Sequence, residues 1–143
     1  MNKPVVSLRI AAVLTLVHAV LHTVGGVFGS ADPAPATVAV EAMKANTFPL
    51  MGNTRSYWDF YRGLGLAVTL FLTAESVLMW QLASLAKSNA RQLRPMMVTL
   101  LLAYAVLTVN SYEYFFLGPV IAEILIVACF AIAIVTAGKP KAA

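Results

Sequence analysis

The chain has 143 residues, 60% of them hydrophobic and only 11% charged, with a net charge of +4 and a mean hydropathy of +0.81. Soluble domains carry about 25% charged residues, so this balance excludes a water-soluble globular domain and points to a chain built for lipid. The positive charge needs no nucleic acid to explain it, because the basic residues fall in short connections where they set membrane orientation and attract anionic lipid.

Four apolar runs predict an all-α, four-transmembrane-helix bundle, a single domain over residues 1–143, with spans at about 5–28, 57–86, 95–117 and 119–137. Lys3 and Arg9 flank the first span, and Val17-His18-Ala19-Val20-Leu21-His22 places two imidazoles four residues apart inside it. Ionisable groups at such depth are costly and face a protein interior. Ala11, Thr15, His18, His22 and Gly25 share one helix face, a small and polar stripe that lets neighbours approach. The same region also fits a secretory signal, with Gly29-Ser30-Ala31 before Asp32-Pro33 as the cleavage site. The two histidines interrupt its apolar run and favour a retained span.

The loop over 29–56 begins extended at Pro33 and Pro35. Residues 37–47 (TVAVEAMKANT) predict a short amphipathic helix on the bundle mouth or the membrane surface. Pro49, Gly52 and Asn53 then break the chain, and a connector of this length is a candidate lid.

Asp59 and Arg62 open the second span, and Glu75 lies within it beside Thr73 and Ser76. Asp59, Arg62 and Glu113 taken singly read as snorkelling groups or structural ion pairs. Lys87, Arg91 and Arg94 separate the second and third spans. Tyr104, Thr108 and Ser111 form an inward stripe on the third, which also carries Asn110 and Glu113. A tight Leu117-Gly118-Pro119 turn leads to the fourth span, with Glu123 and the lone Cys129; one cysteine makes no intrachain disulfide. Lys139 and Lys141 follow. Every basic cluster falls on one side, so both termini are expected in the cytoplasm. Trp58, Trp80, Tyr57, Tyr61, Tyr112 and Tyr114 suit an interfacial aromatic belt.

At a rise of about 1.5 Å per residue from the outer helix ends, His22 lies about 9 Å deep, His18 about 15 Å, Arg62 about 6 Å, Asn110 about 10 Å, Glu113 about 6 Å and Glu123 about 7 Å. Four helices therefore bring polar groups to one slab, which predicts a polar pocket in the outer half of the bilayer lined by His18, His22, Tyr61, Arg62, Asn110, Glu113 and Glu123. Glu75 sits deeper, about 26 Å from the outer end. A carboxyl inside a span must be protonated, paired or metal-bound.

Several chemistries fit such a pocket. Histidines at i and i+4 have the spacing of many metal pairs, but no HExxH or Cys-based site accompanies them, so no metal is assigned. A tetrapyrrole needs one axial His, and a buried His with a carboxylate can shuttle a proton on a lipophilic substrate without a cofactor, with His18, His22, Glu75 and Glu123 as candidates. No P-loop, nucleotide fingerprint or nucleophile elbow is present.

Residues 54–66, Thr54-Arg55-Ser56-Tyr57-Trp58-Asp59-Phe60-Tyr61-Arg62-Gly63-Leu64-Gly65-Leu66, form an SxWDFxRGxGL opening after a helix with His and Gly-Gly. This resembles a family of small bacterial four-helix membrane proteins over nearly the whole chain. The resemblance implies topology and a bacterial inner-membrane location rather than an activity. A fainter resemblance is to the emopamil-binding, sterol-isomerase-like fold, which has His followed four residues later by Glu and Gly, then a Glu-Ser/Thr pair near Trp. The matching pieces are His18, His22 and Gly25-Gly26, then Glu75-Ser76 with Trp80; His22 stands where that family has Glu, and the last span has no Trp. It implies proton transfer around a carbocation-like intermediate.

Three functions are expected in this order: binding of a lipophilic ligand (sterol, isoprenoid, quinone or tetrapyrrole) or service as an accessory subunit of a membrane complex, then an isomerase-type membrane enzyme. Gly25-Gly26 and Gly63-x-Gly65 would permit the close helix contacts of a subunit.

Overall fold

The computed structural model describes residues 2–30 and 34–138. The proposed cleavage segment at Ala31, Asp32 and Pro33, and the basic residues Lys139 and Lys141, lie outside the described residues. In chain order the elements are α1 (Lys3–Leu21) continued by a π-helical turn (His22–Val27), α2 (Ala34–Ala45), β1 (Thr47–Leu50), β2 (Asn53–Ser56), α3 (Tyr57–Asn89), α4 (Arg94–Tyr114) and α5 (Leu117–Ala137). Among the described residues four helices are long and apolar enough to cross a membrane: α1 with its π-turn, α3, α4 and α5.

The chain divides into two compact units, one holding residues up to His18 and from Leu72 onward, the other Ala19–Phe71. The first unit takes part of every long helix. Its buried positions, Val5, Leu8, Ala12 and Thr15 on α1, Leu72, Ser76, Met79, Ala83 and Ala86 on α3, and Glu123, Ile126, Phe130, Ala133 and Ala137 on α5, alternate threes and fours. That is a 3.5-residue period, the pattern of helices packed with a left-handed twist. On α4 the buried Met97, Tyr104 and Ser111 recur every seven residues.

Small residues set the approach. Ala11, Ala12, Ala83, Ala86 and Ala133 are buried, so backbones come close where lipid supplies no hydrophobic drive. The start of α1 lies beside the end of α3, with Asn2 Nδ2 donating to the Ala86 carbonyl at 3.3 Å and the Arg9 guanidinium 5.0 Å over the Trp80 ring. Further along, Ser76 Oγ donates to the Ala12 carbonyl at 2.8 Å. α4 and α5 are likewise antiparallel: the Tyr104 and Phe130 rings lie 6.3 Å apart, and Ser111 meets Glu123. Val77, Leu78, Val106, Val109 and Val135 face outward, the apolar exterior a bilayer requires.

The second unit contains the π-turn, α2, the hairpin and the first turns of α3. Leu50 pairs with Asn53 across a turn at Met51 and Gly52, whose φ angles are +50° and +80°. Two consecutive positive φ values match the twist of a hairpin. In sequence Pro49, Gly52 and Asn53 mark only a break, because a four-residue strand containing Pro and a Met-Gly turn lacks the usual Asn-Gly signature. α2 has no buried residue.

The expected tight turn at 117–119 is also corrected. The interruption falls one step earlier, at Phe115 and Phe116, whose backbones leave the helical region, and Leu117, Gly118 and Pro119 form the first turn of α5. Pro is tolerated there because the first-turn N–H groups have no helical acceptor.

Candidate functional site

The second unit places His22 at the head of the π-turn. Its Nε2 lies 3.0 Å from the Gly65 carbonyl oxygen on α3. A carbonyl only accepts, so Nε2 carries the proton and donates. In the neutral ring Nδ1 then holds a lone pair.

Local sequence explains the geometry. Gly65 has no side chain, and a Cβ there would come within 2.9 Å of Val27 Cγ2, so only a glycine lets the two helices close at this point. The Phe28 N–H reaches back to the Thr23 carbonyl at 3.0 Å, the wider i to i−5 closure of a π-helix. A Cβ at Gly29 would collide with the Gly25 carbonyl oxygen. One step along, Thr23 Oγ1 donates to the Ala19 carbonyl at 2.6 Å and lies 2.9 Å from Thr69 Oγ1. These ties hold the widened turn on α3.

Other expected site residues of this unit take structural partners. The Arg62 guanidinium stacks 5.1 Å over Phe28, and Tyr61 stacks on Trp58 at 5.3 Å. Asp59 closes the N-terminus of α3: its Oδ2 accepts from Ser56 N at 2.8 Å and from Ser56 Oγ at 2.9 Å, while its own N–H donates to Ser56 Oγ at 3.1 Å. This reciprocal arrangement is a capping box. The SxWDFxRGxGL stretch is thus a helix cap, a guanidinium stack and a close-approach glycine in succession.

The first unit holds two buried polar groupings. Tyr104 OH donates to Glu75 Oε2 at 2.7 Å and lies 3.4 Å from Thr15 Oγ1, which is itself 3.5 Å from Met79 Sδ. α1, α3 and α4 therefore meet at one phenol. Two turns further along α4, Ser111 Oγ donates to Glu123 Oε1 at 2.8 Å. Glu123 is 1% exposed, and its Oε2 has no hydrogen-bond partner among the described residues. His18 is half-buried in this unit, whereas Asn110 and Glu113 lie on the exposed face of α4.

The two histidines of the expected pocket thus belong to different units, His18 to the first and His22 to the second. Sequence reasoning singled out Tyr104, Thr15 and Ser111 as stripe residues without assigning them partners. The Gly65 carbonyl it missed altogether, since a backbone acceptor leaves no mark in side-chain chemistry.

Among the described residues no group of three His, Cys, Asp or Glu side chains is placed to hold a metal. Surface hollows among the described residues include one of about 340 Å³ along Ala131, Ile132, Val135 and Thr136, and a second of about 300 Å³ beside Arg55, Asp59, Phe60, Gly63 and Leu64. The first is apolar and the second has a charged rim.

Four long apolar helices define the class as a multi-pass helical membrane protein. No family model, curated protein or solved structure matches the chain.

Proposed function

We propose that this protein binds a lipophilic ligand within a bacterial inner membrane, with His22 as the polar contact. The observation that carries this reading is the oriented imidazole: a backbone carbonyl fixes its tautomer and leaves the second nitrogen to a ligand. Such an acceptor has value in lipid, where few competing donors exist.

Both termini face the cytoplasm in this reading. Support comes from the first unit, whose one end gathers Lys3 at the start of α1, Lys87 at the end of α3, and Arg94 at the start of α4. α2 and the hairpin then lie on the outer side, with exposed Val38, Leu50 and Met51 available to the lipid interface.

The test is extraction of the purified protein followed by mass spectrometry of the extract. A retained apolar compound near one per chain is expected, reduced in His22→Ala with the fold kept. Nothing retained by the wild-type protein would refute it.

A second reading, an accessory subunit, is favoured by Asn110 and Glu113, which are exposed on α4 and whose side chains make no hydrogen bond among the described residues. Polar groups on an otherwise apolar face suit a neighbouring helix. A native pull-down that returns a stoichiometric membrane partner, lost in Asn110→Leu, would establish it.

A further inference from the structure

We infer that the π-helical turn docks the hydroxyl group of an amphiphile, with His22 Nδ1 as acceptor; this rests on the lipophilic-ligand reading and names its ligand class. Nδ1 has no donor among the described residues, and it is not among the occluded unpaired atoms, so it is open. Glycine keeps it open. A Cβ at Gly26 would lie 3.4 Å from Nδ1 and 3.6 Å from Cε1, and a Cβ at Gly25 would meet nothing within 4 Å. A side chain longer than alanine at 26 would cover the nitrogen.

The same closeness selects among ligands. A metal on imidazole nitrogen sits about 2 Å away, and the flat ring of a tetrapyrrole at that distance needs clear space all round the nitrogen, which lies within 3.4 Å of the position of a Cβ at Gly26. A single O–H approaching the lone pair needs far less room. A cationic head is disfavoured by Arg62, which lies one turn before Gly65 on α3 and stacks on Phe28 at the far end of the π-turn. What remains is a neutral donor on an apolar body. Exposed Leu21, Val24, Phe28 and Leu64 provide surface for that body. A π-helix is a rare conformation that concentrates at functional sites, and here it brings Gly26 beneath the imidazole.

The donor hydroxyl has two natural sources, an isoprenoid-type alcohol or the glycerol head of a phospholipid. The chain has two histidines, so ¹⁵N-histidine NMR in phosphatidylcholine nanodiscs reads each ring, with His18→Gln for assignment. Farnesol should move the His22 Nδ1 resonance saturably, and farnesyl methyl ether, which lacks the donor, should bind about tenfold more weakly. Gly26→Val should weaken farnesol by a similar factor, whereas Gly25→Ala should not. A shift produced by phosphatidylglycerol nanodiscs without farnesol would support the inference and assign the hydroxyl to the lipid head. Equal binding of alcohol and ether overturns it, and that comparison needs no variant. A retained compound without a hydroxyl would sink this inference but leave ligand binding standing. No retained compound and no response to any probe would sink both.

Discussion

Glu123 shows how much one side chain can matter inside a span. Among the described residues its carboxyl has one donor, the Ser111 hydroxyl, and is otherwise buried. Interhelical hydrogen bonds in membranes average about 0.6 kcal/mol, but removing a partner from a buried group adds the cost of leaving it unsatisfied, about 1–3 kcal/mol. The second effect is the larger. Ser111→Ala should therefore lower stability in detergent by about 1–3 kcal/mol, and Ser111→Ala with Glu123→Met should recover most of it, because both polar ends are then gone. Thermal unfolding of the two variants decides the matter; equal loss in single and double variants would contradict it. At this scale the sequence is informative about which residues are polar and deep. It does not reveal their partners, since Ser111 and Gly65 are chosen by helix register and a backbone oxygen.

At the scale of elements, glycines that look alike in sequence separate in the structure. Gly65 touches Val27 across the helix pair, whereas a Cβ at Gly63, two residues earlier, would meet nothing within 4 Å. Val is stiff about χ1, so Gly65→Ala forces the helices apart. Overpacking of this kind costs about 1–3 kcal/mol, whereas Gly63→Ala should be neutral or stabilising through helix propensity. Denaturation of the pair in one detergent tests the difference. The cap of α3 gives another: Ser56→Ala removes two side-chain bonds and should cost about 1 kcal/mol, read as earlier loss of helical circular dichroism on heating. The long helices were legible because apolar length alone specifies them. The hairpin was not, since its four-residue strands fall below any useful periodicity, and the π-turn was not, since its glycines also fit an ordinary helix end.

For the whole molecule, charge distribution makes the plainest statement. Basic residues gather at one end of the first unit, and the proposed topology, which follows the positive-inside tendency, puts α2 and the hairpin outside. A membrane-impermeant maleimide should label a cysteine placed at Glu41 in intact cells of a Cys129→Ser background, and should not label one at Ser88; the reverse pattern would invert the topology. Division of the chain between His18 and Ala19 is invisible in sequence, because the imidazole spacing reads as one continuous stripe. Ligand binding belongs to this scale too, and native mass spectrometry of protein released from membranes measures it most directly. The 15.3 kDa chain should appear with an apolar adduct that His22→Ala loses; a bare wild-type chain under conditions that preserve the fold would contradict the proposed function.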